Sequence, residues 1–284
     1  MNILLTGADG FIGCRLLTLL TAAGHRVRPA SRRHGCDFAA MTRPQQWRPW
    51  LKEMDAAINC VGIFSACRTA RFEEIHTAAP VALFQACAEH GVARVTQISA
   101  LGARGDADTP FLRSKGQADA ALQHLPLAWM VLRPSLVEGA GGASAGLLRR
   151  LARLPLIPLP GDGQQAVQPV HVDDVAMATL LTLETQAPRR VIEVAGPARF
   201  TLAGWLQALR RAEGLGDARF CPLPLSLCRA ACLLGKGLSP LLQPDALDML
   251  QAGSCADIGP LRQLLGRAPQ PPLPACAMNE GVPA

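Results

Sequence analysis

Three glycines carry the first readable chemistry of this chain. Gly7, Gly10 and Gly13 stand in TGADGFIG (6–13), between a short apolar run, NILLTG (2–7), and a stretch of helical periodicity, 11–24. A strand, a glycine loop and a helix in that order make a cradle for phosphate. Glycines let the backbone approach a pyrophosphate, and a helix N-terminus offers N–H groups without intrahelical acceptors. A dinucleotide site then continues about 20 residues on, where a carboxylate at the end of the second strand takes the ribose 2′-hydroxyl. Here no Asp or Glu lies between Asp9 and Asp37, and Ser31, Arg32 and Arg33 fill the place. Guanidinium forks match phosphate oxygens, so the expected cofactor is NADP(H) rather than NAD(H).

A second group is defined partly by what it lacks. DTPFLRSKG (108–116) puts Lys115 four residues after Phe111, and the 284 residues include no tyrosine. Reducing a carbonyl, or oxidising an alcohol, needs a proton donor or acceptor beside the hydride path. A phenol serves when a neighbouring lysine lowers its pKa towards neutrality. Phe111 has no proton to give, and losing a positioned acid or base costs roughly 10²–10⁴-fold in rate. Lys115 is the first candidate base, because lysine pKa falls on desolvation. A relay through Ser99 is the weaker alternative, and the plainest role for Lys115 is to hold the nicotinamide ribose hydroxyls. His171, Asp173 and Asp174 do not share one helical face, so no metal site is expected there; Asp173 or Asp174 is expected to cap the helix that follows.

The elements that must position these groups alternate. Strand-like runs occur at 2–7, 25–31, 56–63, 94–100 and 127–137, with helical stretches at 11–24 and 76–91 between them. Such alternation implies a parallel sheet with helices on both faces. Beyond Glu138 the texture becomes glycine- and proline-rich, a strand-like run returns at 190–197, and a helix is expected from an N-cap at Thr201 to a stop at Gly214. The fold expected is α/β: a Rossmann-type doubly wound parallel sheet with a smaller C-terminal lobe. Residues 1–137 form the dinucleotide-binding core, with 168–197 returning to it, and 138–284 form a smaller, mostly helical substrate lobe.

Bulk composition narrows the function classes. Hydrophobic residues make up 49% and charged residues 18%, enough for a sizeable core. No apolar run of about 18 residues suggests a spanning helix. The net charge of +6 is spread over separated arginine pairs, with aromatics at only 4%, which argues against a nucleic-acid surface. The ten cysteines form no C-x-x-C and no zinc spacing. Reduced thiols, and an N-terminus running straight into a strand, give a cytoplasmic expectation.

Taken in order, these motifs resemble the extended and atypical short-chain dehydrogenase/reductase superfamily, related to NAD-dependent epimerases and dehydratases. TGADGFIG looks like its phosphate loop, which implies cofactor contacts from Gly7, Asp9, Gly10, Phe11, Ile12 and Gly13. CDF (36–38) resembles the third-strand segment that holds adenine, which implies Asp37 and Phe38. NCVG (59–62) is similar to the strand beside the adenine, implying Val61 and Gly62. LRPSLVEG (132–139) resembles the segment beside the nicotinamide, implying Pro134 and Ser135; Arg133, Glu138 and the loop 139–146 would border a substrate that the sequence does not name. QPVHVDDVA (168–176) is similar to a late family motif. The catalytic set implied is a serine, a tyrosine and a lysine in Y-x-x-x-K: Ser99 and Lys115 fit, and Phe111 replaces the tyrosine. VIEVAGP (191–197) followed by Thr201 resembles the subgroup related to the NADPH-binding accessory subunit of respiratory complex I. Two readings stay open. One is an NADP(H)-binding protein with a sensor or assembly role. The other is an NADPH-dependent reductase or epimerase-like enzyme with Lys115 as base. The apolar segment 222–250 leaves a peripheral membrane or respiratory-complex contact open; a helical substrate lobe is its blander role.

Overall fold

The first strand, β1 (Asn2–Thr6), is buried on both faces: Ile3 and Leu5 join one apolar cluster and Leu4 another. Successive side chains of a strand point to opposite faces, so a continuous apolar run means a strand covered on both sides. The computed structural model describes residues 1–64, 71–234, 243–274 and 277–278. After β1 come α1 (Phe11–Ala22), β2 (Arg26–Ala30), α2 (Pro44–Leu51) and β3 (Ala56–Asn59). The chain continues through α3 (Ala79–Glu89), β4 (Arg94–Ile98), α4 (Pro110–Gln123) and β5 (Ala128–Pro134). Then follow β6 (Val137–Glu138), α5 (Ala143–Ala152), β7 (Ile157–Pro160), β8 (Ala166–Val167) and β9 (Val170–His171). Next are α6 (Val172–Thr182), β10 (Arg190–Val194), β11 (Phe200–Thr201) and α7 (Leu202–Ala212). The last described elements are β12 (Phe220–Leu223), α8 (Leu225–Leu234), α9 (Pro244–Gln251) and α10 (Gly259–Leu265).

Two units emerge. The first comprises Met1–Pro134 with Val175–Glu193, and the second Ser135–Asp174 with Val194–Ala284. The first holds a six-stranded sheet in the order β10-β5-β4-β3-β1-β2, with β1 to β5 paired in parallel. Trp47, Leu83, Phe84 and Leu122 cover one face, and Leu16, Leu20, Ala176 and Leu183 the other. This is the expected Rossmann-type arrangement of a parallel sheet between helices. The strand order reverses between β1 and β3, the place where α/β sheets open a crevice at their C-terminal strand ends.

Two sequence expectations change at the edges. Residues 36–38, expected as a third strand, lead into a short 3-10 turn, Phe38–Ala40. With no strand beyond it, β2 is the edge of the sheet. Pro29, awkward for an inner strand, pairs in register with Leu5, and on an edge its missing N–H costs nothing on the open side. The strand around Ile192 does join the main sheet, as β10 beside β5. The His171 strand does not: β9 pairs with β6 in a separate two-stranded sheet, Glu138 opposite His171.

In the second unit, short strand pairs β8–β11 and β7–β12 pack with α7 around Trp205, Leu206 and Leu209. Thr201 caps α7 as expected, its Oγ1 accepting from Gly204 N–H at 3.0 Å. Asp174 departs from expectation. It lies inside α6 instead of capping it, and its two carboxylate oxygens accept from Arg267 Nη2 at 2.6 Å and Gln270 N–H at 2.7 Å. A buried carboxylate takes the strongest donors in reach, and here a guanidinium and a free backbone N–H win over the helix terminus. Helix α8 has no buried residue and exposes Leu225, Leu227, Leu233 and Leu234. Part of the apolar segment 222–250, residues 235–242, lies outside the described residues. No helix among the described residues is long and apolar enough to cross a membrane.

The turn after β1 tolerates no side chain. Gly7 has φ +70°, and a Cβ there would come 2.9 Å from the Cys60 carbonyl carbon. At Gly13 a Cβ would overlap the Gly7 carbonyl oxygen, which is fixed backbone. Gly13→Ala is therefore expected to destabilise the protein by roughly 1–3 kcal/mol in urea unfolding, as overpacking does. Cys14→Ala, one residue along and exposed, should stay within about 0.5 kcal/mol of the parent.

Candidate functional site

The glycine loop runs from Gly7 to the first turn of α1, with Gly10 at the N-cap and Gly10 N–H closing on Gly7 O at 2.9 Å. Phe11 is half-buried, and Ile12 packs against the apolar cluster beneath α1. Asp9 points to the end of β2. Its Oδ2 accepts from Ser31 Oγ at 2.6 Å and lies 3.9 Å from Arg33 Nε. Because Ser31 spends its proton on Asp9, His34 Nδ1, 2.9 Å away, is the donor to Ser31 Oγ. Residues 32–34 form a single 3-10 turn with Arg32 and Arg33 exposed, Arg33 at 85% of its side chain. The structure thus ties the glycine loop to the arginine turn. Asp37 is exposed, whereas Phe38 is buried edge-on against Trp47 at 5.5 Å.

A buried polar ladder crosses the strand ends. Thr6 Oγ1 donates to Asn59 Oδ1 at 2.6 Å, and Asn59 Nδ2 donates to Gln97 Oε1 at 2.7 Å. Val61 N–H also bonds Asn59 Oδ1, at 3.2 Å, which fixes the exit of the chain towards Gly62. His76 supports the next residues: its Nε2 accepts from Ile63 N–H at 3.0 Å. Its Nδ1 must then carry the proton given to Ser114 Oγ at 3.1 Å, since that hydroxyl donates to Phe111 O. Burial, and then the charge of Lys115, push the His76 pKa down to about 2, so it is a neutral ring of fixed tautomer.

Helix α4 brings the catalytic candidates together. Thr109 caps it and Pro110 takes the first turn, where a missing N–H is tolerated. Lys115 is 5% exposed, and its Nζ donates to Ile98 O at 3.0 Å and to Val61 O at 3.4 Å. A Cβ on Gly62 would come 3.2 Å from that nitrogen. Burial lowers the Lys115 pKa to about 8, against the opposing pull of Asp119 and Cys60. Phe111 is buried in an aromatic group: stacked on Phe64 at 5.3 Å, edge-on to Phe72 at 6.1 Å and to His76 at 5.3 Å. Ser99 follows β4, and its Oγ donates at 2.8 Å to Asp119 Oδ2. Arg133, expected near a substrate, instead pairs with the same oxygen through Nε and Nη2 at 3.1 and 3.0 Å.

Pro134 ends β5 and its carbonyl accepts from Leu101 N–H at 2.9 Å. In the second unit the Ser135 hydroxyl is committed to Gln168 O at 2.6 Å, and Glu138 is buried with Arg149 at 2.6 Å. Sequence reasoning missed Asp119, His76 and the Thr6–Asn59–Gln97 ladder. For Asp119 a signal existed, since it lies four residues from Lys115 on one helix face. For the ladder there was none, because three polar residues on three strands meet only through register.

Residues 3–195 match the model of the NAD dependent epimerase/dehydratase family. The chain is 30% identical over 256 residues to the epimerase family protein SDR39U1 of Bos taurus, covering 81% of this chain and 86% of that one. It is 29% identical to a 2-alkyl-3-oxoalkanoate reductase of Stenotrophomonas maltophilia, over 66% of this chain and 67% of the other. It is 26% identical to mitochondrial NADH dehydrogenase [ubiquinone] 1 alpha subcomplex subunit 9 of Mus musculus, over 75% of this chain and 56% of that protein. Among solved structures, MoeE5 in complex with UDP-glucuronic acid and NAD superposes with a TM-score of 0.71 at 20% identity, over 95% of this chain and 94% of that one.

The buried lysine makes stability depend on pH. Folded, Lys115 titrates near 8; the unfolded side chain titrates near 10.5. Between those values the unfolded chain binds the extra proton, so raising pH favours the fold, by on the order of 3 kcal/mol for the whole shift. Urea unfolding of the parent and of Lys115→Met across this window should show the parent gaining stability relative to the variant as pH rises. A difference flat with pH would mean that Lys115 titrates as an exposed lysine does.

Proposed function

The chain belongs to the NAD-dependent epimerase/dehydratase family, and from that premise we propose that it binds NADP(H) in a site that has lost tyrosine-dependent proton transfer, and acts as a cofactor-binding, sensor or assembly protein. The observation that carries this reading is Phe111. The ring is kept, packed among Phe64, Phe72 and His76, while the proton of a phenol is gone. The residues read as cofactor-binding support this. A cradle that a Cβ at Gly7 or Gly13 would fill suits a pyrophosphate against the first turn of α1. Arg32 and Arg33 would take the 2′-phosphate, with Asp9 and Ser31 bracing their turn. Lys115 would face the nicotinamide ribose. When bound, the dinucleotide supplies hydride chemistry; the chain's share is to orient it and keep water from the buried strand ends. The likeness to a mitochondrial NADH dehydrogenase subunit supports a structural or assembly role. A cytosolic location suits the eight described cysteines, all unpaired.

A second reading, an NADPH-dependent reductase, is favoured by one observation: the Lys115 pKa lies near 8. An ammonium of that acidity gives a proton to a nascent alkoxide more readily than an ordinary lysine. The relative named as a 2-alkyl-3-oxoalkanoate reductase suggests a ketone on an alkyl chain as its substrate class.

Titration with NADPH and NADH tests the cofactor. NADPH should bind more tightly, and the double variant Arg32→Ala, Arg33→Ala should weaken NADPH at least tenfold more than NADH. An equal loss for both would remove the 2′-phosphate argument. Turnover of 3-oxoalkanoates that Lys115→Met abolishes, with NADPH binding retained, would replace the first reading by the second.

A further inference from the structure

One carboxylate lies behind the lysine and belongs to none of the expected roles. Asp119 sits one turn beyond Lys115 on α4 and is wholly buried. Its Oδ2 takes three donors, from the Ser99 hydroxyl and from both Nε and Nη2 of Arg133. Its Oδ1 is equally buried and has no donor among the described residues. A buried carboxylate oxygen without a donor is costly, and a site that keeps one has a use for its charge. Helical side chains lean towards the N-terminus, so residue 119 leans over the turn that carries Lys115.

We propose that Asp119 is the positioning residue of this site: anchored by Ser99 and Arg133, its carboxylate is the counter-charge that keeps the Lys115 ammonium at the ends of β3 and β4, where a phenol would otherwise be the lysine's partner. The surroundings leave this task to Asp119. Cys60 also faces Lys115, but burial pushes its thiol up to about 12, so it carries no charge near neutrality. His76 faces it from the helical turn before α3 and is neutral. Burial raises the Asp119 carboxyl, and the Ser99 hydrogen bond, then Arg133 from β5, pull the other way and favour the carboxylate. Ser99 takes a new part as well. Its proton is given to Asp119, so it serves the carboxylate rather than a substrate oxygen. This role goes beyond the proposed function and needs no bound cofactor to be tested.

The chain has three lysines, Lys52, Lys115 and Lys236, which makes nuclear magnetic resonance titration of the lysine side chains readable. Asp119→Asn should lower the proton affinity of Lys115 at least tenfold, because an opposite charge nearby favours the protonated form. Asp119→Glu should restore it to within threefold of the parent. A Lys115 midpoint in Asp119→Asn within threefold of the parent would overturn the proposal and leave Asp119 as a brace between α4 and β5. Should Asp119→Asn not fold, the parent protein decides. The Lys115 signal should shift as the Asp119 carboxyl titrates at acid pH, and a Lys115 signal that stays still through that step overturns the proposal. Failure to bind either dinucleotide would count against the proposed function and leave these titrations unaffected.

Discussion

The Lys115 ammonium is buried at the C-terminal edge of the parallel sheet, and the surrounding structure follows from the need to satisfy it. Lys115 is buried, and main-chain carbonyls accept from its Nζ: Ile98 O at the end of β4 and Val61 O just past β3. Those carbonyls are in reach because β3 and β4 pair in register and both end there. A buried charge without a counter-charge would be neutralised or would unfold its site. Here the carboxylate of Asp119 is supplied one helical turn away, and His76, desolvated and within reach of the Lys115 charge, is neutral and adds no repulsion. The strand ends, the helix and the histidine are therefore one electrostatic arrangement.

The aromatic group around Phe111 is the complement of that arrangement. A hydroxyl at this position would need a partner, and its neighbours are the faces and edges of Phe64, Phe72 and His76. Rings at such spacings gain from edge and offset-face contact and ask for no hydrogen bond. Phe64 remains 49% exposed, so this packing reaches the surface.

Much of this was legible in the sequence, and what was not has a physical reason. The glycine turn after β1 could be read because its requirement is local: a tight turn and a close backbone approach demand glycine whatever the rest of the fold does. The alternation of strands and helices was equally local. Non-local pairing was not readable. Val170 and His171 look like any short strand run, and whether they join the main sheet or pair with Val137 and Glu138 depends on partners far away in sequence. The role of Asp174 was misread for the same reason, since a helix-capping residue type was recruited by Arg267, 93 residues on. Asp119 lies between these cases. Its distance from Lys115 is local, but its burial and its partners Ser99 and Arg133 come from two strands.

The edge of the sheet shows how a missing element can shape a site. Residues 36–40 do not add a strand, so β2 has an open side and Pro29 can stand in it. The chain leaving β2 is then free of sheet pairing, and residues 32–34 wind into a 3-10 turn instead of extending. Such a short turn has little stability of its own. It is held from the loop after the neighbouring β1 by Asp9, which takes the Ser31 proton and lies near Arg33. Asp9 itself stands between Gly7 and Gly10, so the glycine loop and the arginine turn are one connected piece of structure. An acid at position 9 and no acid at the end of β2 are then one feature. The Asp9 carboxylate is set back by one hydroxyl, bonded to Ser31 Oγ and 3.9 Å from Arg33 Nε.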